Sequence, residues 1–138
     1  MRSNKRTRLA LFTIMLLTAC SFGCKHTPRN PATLNAVETD NGHTLNLHVG
    51  DELKLSLAEN PTTGYKWDFL TKPEPFCILT SDAYVANPAV SGFGGGGAHN
   101  WAFRSVKEGT AKLTLGYRRP WQKDTPPAKT FTLTLVVN

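Results

Sequence analysis

From about residue 44 to the C-terminus, apolar and polar side chains alternate one by one. Leu45, Leu47 and Val49 interleave with Thr44, Asn46 and His48, and Leu53, Leu55 and Leu57 with Lys54 and Ser56. Tyr65, Trp67 and Phe69 alternate with Lys66 and Asp68, and Trp101 and Phe103 with Asn100, Ala102 and Arg104. Ala111, Leu113, Leu115 and Tyr117 form another run, Phe131, Leu133, Leu135 and Val137 close the chain, and Ile78 to Val85 is a weaker run. A period of two sends successive side chains to opposite faces of a strand, so each run predicts a strand with one core face and one wet face. No segment carries a helical period with caps. About seven or eight such strands predict an all-β fold, an antiparallel β-sandwich. Trp67, Phe69, Trp101 and Phe103 fall in the alternation and are expected in the core. Gly50-Asp51 reads as a turn, Asp51-Glu52 as a turn pair rather than a catalytic dyad, and Glu108-Gly109 as a hairpin-type turn.

Three segments interrupt the alternation, and each lies between expected strands. The first is Asn60-Pro61-Thr62-Thr63-Gly64-Tyr65. Pro61 fixes its own φ and pushes Asn60 towards extended backbone, Gly64 permits a positive φ, and Thr62 and Thr63 are stiff at χ1. Such a loop has little freedom left to lose on binding; it also reads as a rigid strand connection with no partner. The second is the glycine run Gly92-Phe93-Gly94-Gly95-Gly96-Gly97. It matches G-x-G-x-x-G in form only, because a dinucleotide site needs a helix to follow, and Ala98 to Arg104 reads as a strand. A loop without side chains is able to lay its backbone against a partner, although glycine raises the entropic cost of ordering it. The third is Arg119-Pro120-Trp121. Arg and Trp are enriched in interface hot spots, and a Trp outside any alternating run reads as a binding anchor or as a side chain folded back over the sandwich edge.

The remaining chemistry is sparse. His26, His43, His48 and His99 are scattered, no nucleophile motif is present, and no spacing suits a metal. Neither an enzyme nor a cofactor is implied. Cys77 reads as a small buried apolar residue, with pairing to Cys24 the other possibility.

The N-terminus reads as a targeting segment. Arg2, Lys5, Arg6 and Arg8 precede an apolar run from Leu9 to Leu17, too short to span a bilayer. Leu17-Thr18-Ala19-Cys20 resembles the lipobox of bacterial lipoproteins, in which cleavage precedes a cysteine that receives lipid. The other reading is an ordinary secretory signal. Ser21 after the cysteine resembles the pattern sorted to the outer membrane of Gram-negative cells. The whole chain has net charge +6; residues 1–19 carry four of its basic side chains and no acid, so without them the net charge is +2. The basic balance therefore belongs to the signal and does not support nucleic-acid binding. Residues 20–35 read as a flexible tether broken by Pro28 and Pro31, and residues 36–138 as one domain.

Taken together, the three loops resemble those of the chagasin-type inhibitors of papain-family cysteine proteases (inhibitor family I42). That family carries an Asn-Pro-Thr-Thr-Gly-aromatic loop, a Gly-x-Gly-Gly-x-Gly loop and an Arg-Pro-aromatic loop, in this order, on an immunoglobulin-like β-sandwich. Asn60 to Tyr65, Gly92 to Gly97 and Arg119 to Trp121 match in order and identity, with Gly96 in the variable slot of the second loop. The resemblance implies a monomeric, reversible, non-covalent inhibitor whose three loops form a wedge. Thr62 and Thr63 would enter the protease cleft beside its catalytic cysteine, the glycine loop would follow one wall, and Trp121 would pack on the other with Arg119 nearby. The alternative is an immunoglobulin-like envelope lipoprotein that binds another protein or a glycan through the same loops. A third reading is a structural lipoprotein with no ligand. In every case the chain is expected in the bacterial cell envelope, lipid-anchored through Cys20, or secreted.

Overall fold

The computed structural model describes residues 29–88, 95–122 and 124–138, and within them the alternating runs become eight strands. These are β1 (Thr33–Val37), β2 (Thr44–Leu47), β3 (Glu52–Glu59), β4 (Lys66–Thr71), β5 (Cys77–Ala86), β6 (Gly97–Ser105), β7 (Gly109–Arg118) and β8 (Lys129–Val137). They form two four-stranded sheets, ordered β1-β3-β6-β5 and β2-β8-β7-β4. The targeting segment and the cysteines at 20 and 24 lie outside the described residues. The sandwich starts earlier than expected: residues 33–35, assigned to the tether, belong to β1.

The inward faces meet as the alternation requires. Leu53, Leu55 and Leu57 of β3 and Trp101 and Phe103 of β6 pack towards Leu113 and Leu115 of β7 and Phe131, Leu133 and Leu135 of β8. Full burial of each large side chain stabilises the fold by about 1.5–3 kcal/mol. Phe69 reaches across edge-on to Trp101 and Phe103, with ring centroids 6.1 and 6.2 Å apart. Cys77 is a free thiol, 1% exposed, and burial pushes its pKa up to about 11. Val49 departs from the pattern: β2 stops at Leu47, and Val49 stands in solvent with its amide bonded to the Asn138 carbonyl.

Two strand pairings differ from the antiparallel order expected. β1 pairs with β3, and β2 with β8, in parallel, so each sheet has a short parallel edge strand. This follows because the chain changes sheet between β1 and β2 and again between β2 and β3. Glu108-Gly109 is not a hairpin turn either, since β6 and β7 lie in different sheets. Gly109 makes the crossing at φ +144°, and a Cβ there would collide with the Phe76 ring.

The start of β3 is tied down by Asp51, which is 2% exposed and not the simple turn residue expected. Its carboxylate accepts the amides of Ala32 (2.8 Å) and His48 (2.9 Å), and Arg29 Nη1 lies 3.1 Å from Oδ2. Burial pushes its pKa up, but the two amides and the Arg29 guanidinium outweigh burial and hold it below the usual value. The chain thus enters β1 at the pole where β3 begins, Thr33 pairing with Glu52.

Candidate functional site

The first and third interrupting segments, and the stem of the second, lie at the other pole, where β3 ends. Loop one runs from Asn60 to Tyr65 and carries the chain from β3 to β4 and from one sheet to the other. Loop two, the glycine run, joins β5 to β6. Loop three, Arg119 to Ala128, joins β7 to β8.

Loop one is a single 3-10 turn, Pro61–Thr63, closed by its own side chains. Asn60 Oδ1 accepts the Thr62 amide (3.2 Å) and the Thr62 hydroxyl (2.7 Å). The Asn60 carbonyl accepts the Thr63 amide (3.2 Å) and the Thr63 hydroxyl (2.7 Å). Gly64 sits at φ +78°, ψ −2°, in the left-handed region, and donates its amide to the Pro61 carbonyl (3.0 Å). The Asn60 amide donates to the Tyr117 hydroxyl on β7 (3.2 Å), which fixes the turn to the opposite sheet. Thr62 and Thr63 remain exposed at the tip. The result is a short, pre-ordered protrusion with most of its local hydrogen bonds already made.

Loop three leans on loop one. Trp121 is 69% exposed, yet its ring edge rests over Gly64: a Cβ at position 64 would stand 2.6 Å from the indole Cη2. Gly64 is therefore required twice, by its φ and by the indole above it. Beside this contact the Arg119 guanidinium lies over the Tyr65 ring, 4.7 Å from its centroid. Tyr65 stacks on Tyr117 at 5.4 Å, and Tyr117 meets Trp67 at 5.0 Å, so a stack runs from the loop surface into the core. Arg119 Nε is buried in this packing, so much of Arg119 serves the molecule's own loops.

Gly92, Phe93 and Gly94 lie outside the described residues. The stem of loop two is defined: the Gly96 carbonyl accepts the Asn87 amide (3.1 Å), and Gly97 is already the first residue of β6. A Cβ on Gly96 would press on the Glu59 carbonyl at 3.3 Å, and one on Gly97 would collide with the Val85 carbonyl. Gly95 continues the loop into the undescribed segment. Loop one thus stands in the middle, with the glycine stem against its first residue and Trp121 over its last glycine.

Three residues under the loop pole, Glu59, Asp82 and His99, were not read as site residues from sequence. Glu59 is 4% exposed, and its Oε2 accepts the Trp67 amide (2.9 Å) from the opposite sheet. The same oxygen lies 3.0 Å from His99 Nδ1, and His99 Nε2 lies 2.5 Å from Asp82 Oδ1. The signal for Glu59 was present in the alternation: in the series Leu53, Leu55, Leu57, the next inward position is 59. Among the described residues no group of His, Cys, Asp or Glu is placed to hold a metal ion.

Residues 46–135 match the family model described as chagasin family peptidase inhibitor I42. The chain is 33% identical over 101 residues to amoebiasin-2 of Entamoeba histolytica, covering 72% of this chain and 81% of that protein. It is also 33% identical over 101 residues to chagasin of Trypanosoma cruzi, covering 71% of this chain and 92% of that protein. The crystal structure of the Entamoeba histolytica cysteine protease inhibitor EhICP2 superposes with a TM-score of 0.73 at 30% identity, covering 80% of this chain and all of that one. Matched over residues 46–135 and built as an immunoglobulin-like sandwich, the chain belongs to the chagasin family of cysteine-peptidase inhibitors.

Proposed function

We propose that this protein blocks the active-site cleft of a papain-family cysteine protease, reversibly and without a covalent bond, through the pole formed by the three loops. The observation that carries this reading is the contact of Trp121 with Gly64. It joins an exposed, internally hydrogen-bonded turn and an exposed indole into one pre-ordered surface. A protruding turn of Thr62 and Thr63 suits a narrow cleft. An adjacent indole supplies apolar area at low entropic cost, as interface hot spots do. Because the tip residues are held in a 3-10 turn rather than in extended backbone, no peptide bond is presented in attack geometry, and the inhibitor survives the encounter.

The test is a titration of papain with residues 25–138, following hydrolysis of a fluorogenic substrate. We expect competitive, reversible loss of activity, with the inhibitor intact by mass afterwards. A folded sample that leaves papain and other papain-family proteases uninhibited at micromolar concentration would refute the reading and favour a protein- or glycan-binding module.

We also infer that the protein is anchored in the bacterial envelope by lipid on Cys20, on the strength of the basic segment, the apolar run and Leu17-Thr18-Ala19-Cys20. Mass spectrometry of the mature N-terminal peptide should show an acylated Cys20, and Cys20→Ser should release the protein from the membrane fraction. An unmodified N-terminus at Cys20, or at another residue, would overturn the anchor.

A further inference from the structure

We propose that Glu59, His99 and Asp82 form a proton-dependent relay that positions loops one and two against each other, and that inhibition therefore weakens as pH rises through imidazole titration. The inference rests on the inhibitor reading for its functional consequence. The relay itself rests on geometry alone.

The relay crosses one sheet directly beneath the recognition pole. Glu59 is the residue before loop one, His99 lies two residues into β6 after the glycine stem, and Asp82 lies on β5. Both ring nitrogens of His99 face carboxylate oxygens, Glu59 at 3.0 Å and Asp82 at 2.5 Å. The ring stacks flat on Trp101, with centroids 4.1 Å apart and planes 3° from parallel, so it has one fixed orientation. The groups facing it are Glu59 from β3 and Asp82 from β5; its cross-strand partner on β5 is Tyr84, whose hydroxyl lies over Gly97.

An ionised carboxylate only accepts hydrogen bonds, and a neutral imidazole has one N–H. Both contacts are satisfied together only by the imidazolium, which donates from both nitrogens and carries a positive charge between two negative ones. Loss of the proton leaves one carboxylate facing a nitrogen lone pair. If Glu59 loses its bond, it becomes a buried charge with the Trp67 amide as its named partner. A shift of Glu59 relieves this, and its backbone is where loop one starts and where the Gly96 stem rests; the other tautomer keeps the Glu59 bond and releases Asp82 on β5, the strand that leads into loop two. The sign follows: the relay is complete at low pH and opens as pH rises.

Glu59 and His99 are positioning residues, because neither lies in loops one or three, whose exposed tips face the protease. The test has two independent arms on the purified protein. In the first, backbone amide shifts and the His99 ring are followed by NMR across pH 5 to 8 without any protease. We expect Asn60–Gly64 and Gly95–Gly97 amides to move with the midpoint of the His99 ring. Asp82→Asn should shift that midpoint to lower pH, and His99→Gln should abolish the coupled change. Loop amides that ignore the His99 titration would overturn the relay, whatever the protein inhibits. In the second arm, binding to a papain whose catalytic cysteine is replaced by serine, which leaves the cleft open, is measured over the same range for wild type and His99→Gln. The ratio of the two constants cancels the protease's own titration. We expect the wild-type advantage to fall by about tenfold between the low and high ends, the scale of one charged hydrogen bond. A constant ratio would overturn the link to inhibition, and absence of binding by both proteins would overturn the inhibitor reading while leaving the first arm to judge the relay.

Discussion

Strand β3 is flanked by a buried carboxylate at each pole, Asp51 before it and Glu59 at its end, and the two are satisfied in different ways. Asp51 accepts two backbone amides and faces the guanidinium of Arg29, a group that stays charged at any ordinary pH. Glu59 accepts one backbone amide and faces an imidazole, a group whose hydrogen bonds depend on its proton. The first arrangement is permanent and sits where the chain enters the sandwich. The second is adjustable and sits beneath the proposed inhibitory surface. Stability and recognition are thus placed at opposite poles, and changes at one should leave the other's readout alone.

The largest expected effect tests the permanent pole. Asp51→Ala strands the Ala32 and His48 amides and removes the partner of Arg29, so unfolding free energy should drop by about 3 kcal/mol. Denaturant unfolding measures this, and the inhibition constant of the folded fraction should not change. A weaker inhibitor of unchanged stability would break the separation of the poles. Trp121→Ala is the mirror experiment. It should cost about 2 kcal/mol or more in protease binding, roughly 30-fold, with little change in melting temperature, because the indole is largely exposed. Unchanged inhibition would remove Trp121 from the interface.

A third change sharpens the comparison within the loop pole. Gly64→Val puts a β-branched side chain at φ +78° and drives it into the indole. Inhibition should weaken by about tenfold, on the scale of 1–3 kcal/mol for a strained backbone position. A variant that inhibits normally would show that neither the φ nor the indole contact matters. Acid unfolding gives a smaller effect. The Asp51 pKa is lowered from 3.8, so its contribution to stability is present above that value and is lost as pH falls through the folded value. Wild type should lose this increment of stability below about pH 4, and Asp51→Asn should show a flatter profile there. The smallest effect concerns Cys77, which a thiol reagent at pH 8 should modify only slowly without denaturant, given burial and a pKa of about 11.

Much of this was legible in the sequence, and the residues show why the rest was not. Alternation located the strands and the core because a half-buried strand writes its own period: Leu53, Leu55, Leu57 and Leu113, Leu115 all fell inward. Pro61, Gly64 and Trp121 stood out because each breaks that period with a residue of special backbone or surface chemistry. Asp51 was read as a turn residue because its partners, Arg29 and Ala32, lie some twenty positions away in an apparent tether. His99 was set aside as isolated because Glu59 and Asp82 reach it across strand pairings that one sequence does not display. The same limit turned a sheet crossing at Gly109 into an expected hairpin: a glycine announces a change of direction, not the sheet the next strand will join.

The parallel pairing of β1 with β3 has a consequence for how the protein stands on a surface. The chain enters β1 on the Asp51 side, beside Arg29, so the eight residues of β3 separate that entry from the loops by roughly 25 Å. The ten residues from Cys20 to Arg29 span at most roughly 35 Å when fully extended. A molecule moored at Cys20 would hold its recognition pole outward, as a buoy holds its lamp away from the chain. A protease arriving from the open compartment would meet Thr62, Thr63 and Trp121 first.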